Sequence, residues 1–111
     1  MNWTARLSEN VPLFEDTTAL LASAIDFEVV CICTPNGLHA KQAIQFLKAG
    51  KHVVVEKPLA LSVADCKAII KASKDANKHV FGVMQNRYSP ASIWFKEQID
   101  AGVMGAILQV H

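Results

Sequence analysis

The chain has 111 residues, of which 51% are hydrophobic and 19% charged, with a formal net charge of +1. That length holds one domain around one small core, and the apolar share excludes intrinsic disorder. The balanced charge leaves no basic patch for nucleic acid, no apolar run nears the roughly 20 residues that cross a bilayer, and MNWTARLSENVP lacks a signal-peptide core, so a cytoplasmic protein without membrane or nucleic-acid partners is expected.

In chain order, Val11–Phe14 reads as a short strand and about Thr17–Ala24 as a helix. Val29-Val30-Cys31-Ile32-Cys33 is a continuous, β-branched apolar run, and Val53-Val54-Val55 and Val80-Phe81-Gly82-Val83-Met84 repeat the pattern. Continuous rather than alternating apolarity suits strands covered on both faces, as in a parallel sheet. Cys31 and Cys33, two apart, would share one face of their strand. With Cys66 they make three cysteines without metal-ligand spacing, which reads as buried, inert thiols in a reducing compartment.

Helical segments separate these runs. Asn36 can cap a helix burying Ala40, Ala43, Ile44 and Leu47, with Gly50 placed to end it. Ser62 and Asp65 resemble a capping box ahead of a helix burying Cys66, Ile69, Ile70 and Ser73, with Asn77 as its stop. Ser89-Pro90 opens a third, carrying Ile93, Trp94, Phe95 and Ile99 up to Gly102. Ala106–His111 reads as the start of another strand. Strand and helix alternate with a period of roughly 25 residues, the βαβ repeat of a doubly wound fold. The fold class is α/β.

Parallel sheets bind ligands beyond the carboxyl ends of their strands. Three polar stretches fall there: Thr34-Pro35-Asn36-Gly37-Leu38-His39, Glu56-Lys57-Pro58 and Gln85-Asn86-Arg87-Tyr88. Taken singly, the first also reads as a turn and helix cap, the second as a solvated ion pair and the third as a solvated loop. Taken together, they crowd one edge of the sheet. His39 would sit in the first turn of its helix, where the dipole favours a neutral, hydrogen-bonding imidazole. Lys57 abuts a core strand, where partial burial would suit it to proton transfer. The amides of Gln85 and Asn86 suit hydroxyl-rich ligands, and Arg87 could grip a carboxylate or phosphate.

The segments IDFEVVCICTPNGLHAKQAIQFLKAGKHVVVEKPLALS and FGVMQNRYSP resemble the glucose–fructose oxidoreductase / inositol dehydrogenase / MocA family of NAD(P)-dependent oxidoreductases, from about Phe14 to the tail. The stretch MQNRYSP is most similar to members acting on nucleotide-linked sugars. The resemblance implies that Thr34, Pro35, Asn36 and His39 line the cofactor's ribose and nicotinamide side, and that Glu56 contacts the nicotinamide ribose. Lys57 would stand beside the sugar hydroxyl being oxidised, and Pro58 would follow a cis peptide bond that aims it. Gln85 would touch NAD or NADP, while Asn86, Arg87 and Tyr88 would face a sugar or nucleotide-sugar substrate. No metal is implied.

The family's glycine-rich phosphate turn, G-x-G-x-x-G, occurs nowhere in this sequence. The resemblance therefore implies roughly a third of a family member: residues 1–105 as a partial Rossmann-like domain lacking its first βαβ unit, and 106–111 as the start of a C-terminal α+β domain. Such a piece is expected to be inactive alone, and to expose the strand at Val29–Cys33 as an edge prone to self-association. The alternative is a non-enzymatic binding or assembly module. A CheY-like regulator is disfavoured, because no acidic cluster ends any strand.

Overall fold

The structure is a computed structural model and describes residues 11–109. Strands β1 (Val29–Ile32), β2 (His52–Val55) and β3 (Val80–Gly82) form one parallel sheet in the order β1-β2-β3. Helix α1 (Thr17–Ala22) precedes β1, α2 (His39–Lys48) and α3 (Val63–Ala76) make the crossovers, and α4 (Pro90–Asp100) follows β3. The register sets Ile32 beside Val55 and Val55 beside Gly82. All three strands therefore end in one row.

Local chemistry sets the helix ends. The Ser62 hydroxyl accepts the Asp65 amide at 3.0 Å and donates to the Asp65 carboxylate at 2.7 Å. Asp65 thus completes the box through the hydroxyl, its side chain being too short to reach back as glutamate does. Gly50 adopts φ 77°. Its amide bonds Leu47 O at 2.9 Å and that of Lys51 bonds Phe46 O at 3.0 Å, the paired closure of a Schellman motif. Asn77, at φ 50°, closes α3 in the same way, through Asn77 N to Lys74 O and Lys78 N to Ser73 O.

Several expectations fail locally. Asn36 does not cap α2; Asn36–Leu38 forms a 3₁₀ turn instead, and no side chain caps either element. Val11–Phe14 and residues 106–109 are irregular rather than strands, as are Cys33, Val83 and Met84 at the strand ends, and the rest of the expected terminal strand lies outside the described residues.

The core lies between the sheet and α2 and α3. Val53 and Val55 meet Ala43, Phe46, Leu47, Ile69 and Ala72, all buried. Phe46 takes the place expected of Ile44, which is only half-buried, and Ile70 is 50% exposed. The two helices pack on each other, so the stripe each buries faces its neighbour as well as the sheet. Phe27 extends the core with an edge-on contact to Phe46, ring centroids 6.2 Å apart.

The other face of the sheet is bare. Val29 is 50% and Phe81 55% exposed, and Cys31 and Cys33 are exposed too. The expectation of buried thiols is corrected: it assumed a covering layer on both faces, and among the described residues no helix supplies the second. Helix α4 has no buried residue and packs on the turn before it. The radius of gyration is 18.4 Å, against about 13 Å for a compact chain of this length.

Candidate functional site

Because Ile32, Val55 and Gly82 share the last row, the polar stretches that follow them emerge on one edge. Two backbone bonds carry the ladder into those stretches: Glu56 N donates to Ile32 O at 3.0 Å and Val83 N to Val55 O at 2.9 Å. The expected common edge is present.

At the tip of β1, the Thr34 hydroxyl donates to Gln42 Oε1 at 2.5 Å, while Pro35, Asn36 and Gly37 are exposed. Gln42 is a residue that sequence reasoning missed. It lies one turn into α2, and its role is visible only once the helix folds back over the strand tip.

His39 is 1% exposed. Its Nδ1 lies 2.7 Å from Pro58 O and its Nε2 2.7 Å from Thr34 O. Which of the two nitrogens donates depends on the tautomer. With the ring enclosed, His39 presents no surface to a ligand.

At the tip of β2, Lys57 is exposed and Glu56 half-buried. The Glu56 carboxylate accepts the backbone amide of Lys57 at 3.1 Å, and the described ion pairs do not include the two side chains. The expected partial burial of Lys57 is corrected. The chain leaves the sheet at Val55, and nothing described packs over the side chain. The Lys57–Pro58 peptide is cis, as the resemblance implies.

At the tip of β3, Gln85–Tyr88 forms a 3₁₀ turn closed by Arg87 N to Met84 O at 3.0 Å, with all four side chains exposed. A groove of about 580 Å³ runs between this turn and α4, lined by Asn86, Arg87, Ser92, Phe95, Lys96 and Ile99. The tips of β1 and β2 are thus tied together through His39, while the tip of β3 joins them through one backbone bond and opens toward α4.

The half-buried Glu56 and the exposed Pro35–Gly37 turn border this edge. No glycine-rich turn of the kind that holds a pyrophosphate opens a helix among the described residues. No group of three or more potential metal ligands occurs among the described residues, and no described helix is long and apolar enough to cross a membrane.

A parallel α/β sheet with its polar tips in one row is the plan of the doubly wound folds that bind ligands beyond their strand ends. Residues 4–83 match the profile of the oxidoreductase family with an NAD-binding Rossmann fold that unites glucose–fructose oxidoreductase, inositol dehydrogenase and MocA, and the chain belongs to that family. It is 42% identical to a levoglucosan dehydrogenase from Pseudarthrobacter phenanthrenivorans over 98 residues, covering 86% of this chain and 25% of that protein. It is 39% identical to an inositol 2-dehydrogenase from Salmonella typhimurium over 87 residues, covering 78% and 26%. Among solved structures, the WlbA dehydrogenase from Bordetella pertussis, in complex with NADH and UDP-GlcNAcA, superposes with a TM-score of 0.80 at 37% identity, covering 85% of this chain and 27% of that one. The chain spans about a quarter of the length of these relatives.

Proposed function

We propose that this chain is the nicotinamide-side portion of an NAD- or NADP-dependent dehydrogenase acting on a sugar or nucleotide-sugar alcohol. Residues 1–105 would belong to the dinucleotide-binding domain and 106–111 would lead into a substrate domain. The observation that carries this reading is the common row Ile32, Val55 and Gly82, which brings the three polar tips to one edge. The relatives named for levoglucosan and inositol, and the one bound to UDP-GlcNAcA, support the substrate class.

In this reading Thr34, Pro35, Asn36 and Gln85 border the cofactor, and Glu56 holds its ribose. The bound nicotinamide supplies the hydride acceptor. Lys57 Nζ exchanges the proton of the reacting sugar hydroxyl, its approach set by the Glu56–Pro58 backbone. Asn86, Arg87 and Tyr88 bind substrate hydroxyls or an anionic group. Because the chain offers no glycine-rich phosphate turn, cofactor affinity should be low and turnover absent without the rest of a family member.

NADH fluorescence titration of the chain tests binding, with millimolar affinity or weaker expected. In a full-length relative, alanine in place of the lysine that matches Lys57 should lower kcat by about 10²–10⁴-fold, the range for a general acid–base group, while leaving the Kd for NADH unchanged. Undiminished turnover would remove Lys57 from the chemistry.

A second reading, a non-enzymatic assembly module, is favoured by the bare sheet face and the open edge of β1. It expects concentration-dependent self-association on a sizing column, without nucleotide binding. A monomer at all concentrations would count against it.

A further inference from the structure

His39 is the only buried polar or charged residue among those described, and direct contact with a cofactor does not account for it. Its ring stands between two loops that are distant in sequence, meeting the carbonyl of Thr34 at one nitrogen and that of Pro58 at the other, each at 2.7 Å. We propose that His39 is a positioning residue, a rigid brace that sets the separation between the Thr34–Asn36 turn and the Lys57–Pro58 turn. The proposal rests on the reading of these turns as the cofactor-facing edge.

The geometry explains why a brace is needed here. The backbone ladder between β1 and β2 ends with Glu56 N to Ile32 O. Beyond that bond, the described backbone bonds no longer join the two turns, and the residues expected to do chemistry all lie beyond it. Imidazole is the side chain shaped for the gap. Its two nitrogens sit on different edges of one flat, rigid ring, so a single ring touches both carbonyls and spaces them. Asparagine carries one amide on a short arm, and lysine ends in a flexible point donor. The backbone of His39 is itself pinned in the first turn of α2, where its amide bonds Asn36 O. The ring therefore ties together the helix, the tip of β1 and the tip of β2.

The competing explanation is a histidine that merely fills the core, and the two differ in what moves. Amide hydrogen exchange on the chain with His39→Phe, which keeps a flat ring without donors, should quicken at least tenfold at Leu38, whose bond closes the first turn, and at Glu56, whose bond is the last of the ladder before the second. The strand amides of Val53 and Val55 should keep their protection. His39→Gln, with one donating amide, should recover part of the loss. Unchanged rates at Leu38 and Glu56 would overturn the proposal, as would equal acceleration at Val53 and Val55. If His39→Phe fails to fold, the ring hydrogens of the unaltered chain decide. A slowly exchanging imidazole N–H, with cross-peaks to protons of the Thr34 or Pro58 turn, is expected, and one exchanging as fast as in free histidine would overturn the brace. The lysine-to-alanine turnover test of the proposed function separates the two readings. Loosened turns with undiminished turnover there keep the brace and remove the catalytic edge, whereas unchanged turns remove the brace whatever that turnover is.

Discussion

The two faces of the same small sheet behave as though they belonged to different proteins. On one, Val53 and Val55 lie under α2 and α3 with Phe46, Leu47 and Ile69, and no solvent reaches them. On the other, Val29, Cys31 and Phe81 are equally apolar yet open. Alternate residues of one strand supply both faces, so composition cannot tell them apart. The difference is in what each crossover delivers. Both α2 and α3 return over the same face, and α4, the next helix in line, stays on the turn that precedes it. A strand of continuous valines declares that it needs two covers, and the fold described here provides one.

Mutations sharpen that contrast. The largest effect is expected from Phe46→Ala, which empties the centre of the covered side and should cost about 3–5 kcal/mol in equilibrium urea unfolding. A loss below about 1 kcal/mol would mean that the covered face is not the true core. Next, Ser62→Ala removes the cap of α3 and should cost about 1 kcal/mol, read as a lower urea midpoint at constant slope. A similar loss is expected from Gly50→Ala, because φ 77° is a conformation that alanine enters at about 1–2 kcal/mol. The smallest effect belongs to the bare face: Phe81→Ser should change stability by only about 0.5 kcal/mol, while shifting any self-association toward monomer in sedimentation. A change as large as that at Phe46 would show Phe81 to be buried in solution.

Much of this was legible beforehand. The three strands, their parallel order and the helices between them followed from runs of β-branched residues separated by amphipathic stretches. The stops at Gly50 and Asn77 and the cap at Ser62 were readable because each acts within a few residues of chain. The row of polar tips was legible for a related reason, since parallel strands of similar length must end together. What escaped notice depended on distant partners. Asn36 looked like a cap, but the chain tightens into a 3₁₀ turn there. Ile70 had the spacing of a buried residue, but α3 rotates Ala72 toward α2 instead. Lys57 was expected to be half-buried, and nothing described folds over it.

His39 marks the boundary most clearly. Its placement in the first turn of α2, near a strand tip, could be inferred from spacing alone, and so could its closeness to the Thr34 turn. Its second partner, Pro58, arrives only after a whole helix and strand have been laid down beside it. By itself the sequence determined the three strands, the helices between them and the stops at Gly50 and Asn77, because those rest on dihedral preference, capping and periodicity within a turn or two. Tertiary structure alone decided which face of the sheet was covered and which two carbonyls the imidazole meets, because both depend on how separate segments meet in space.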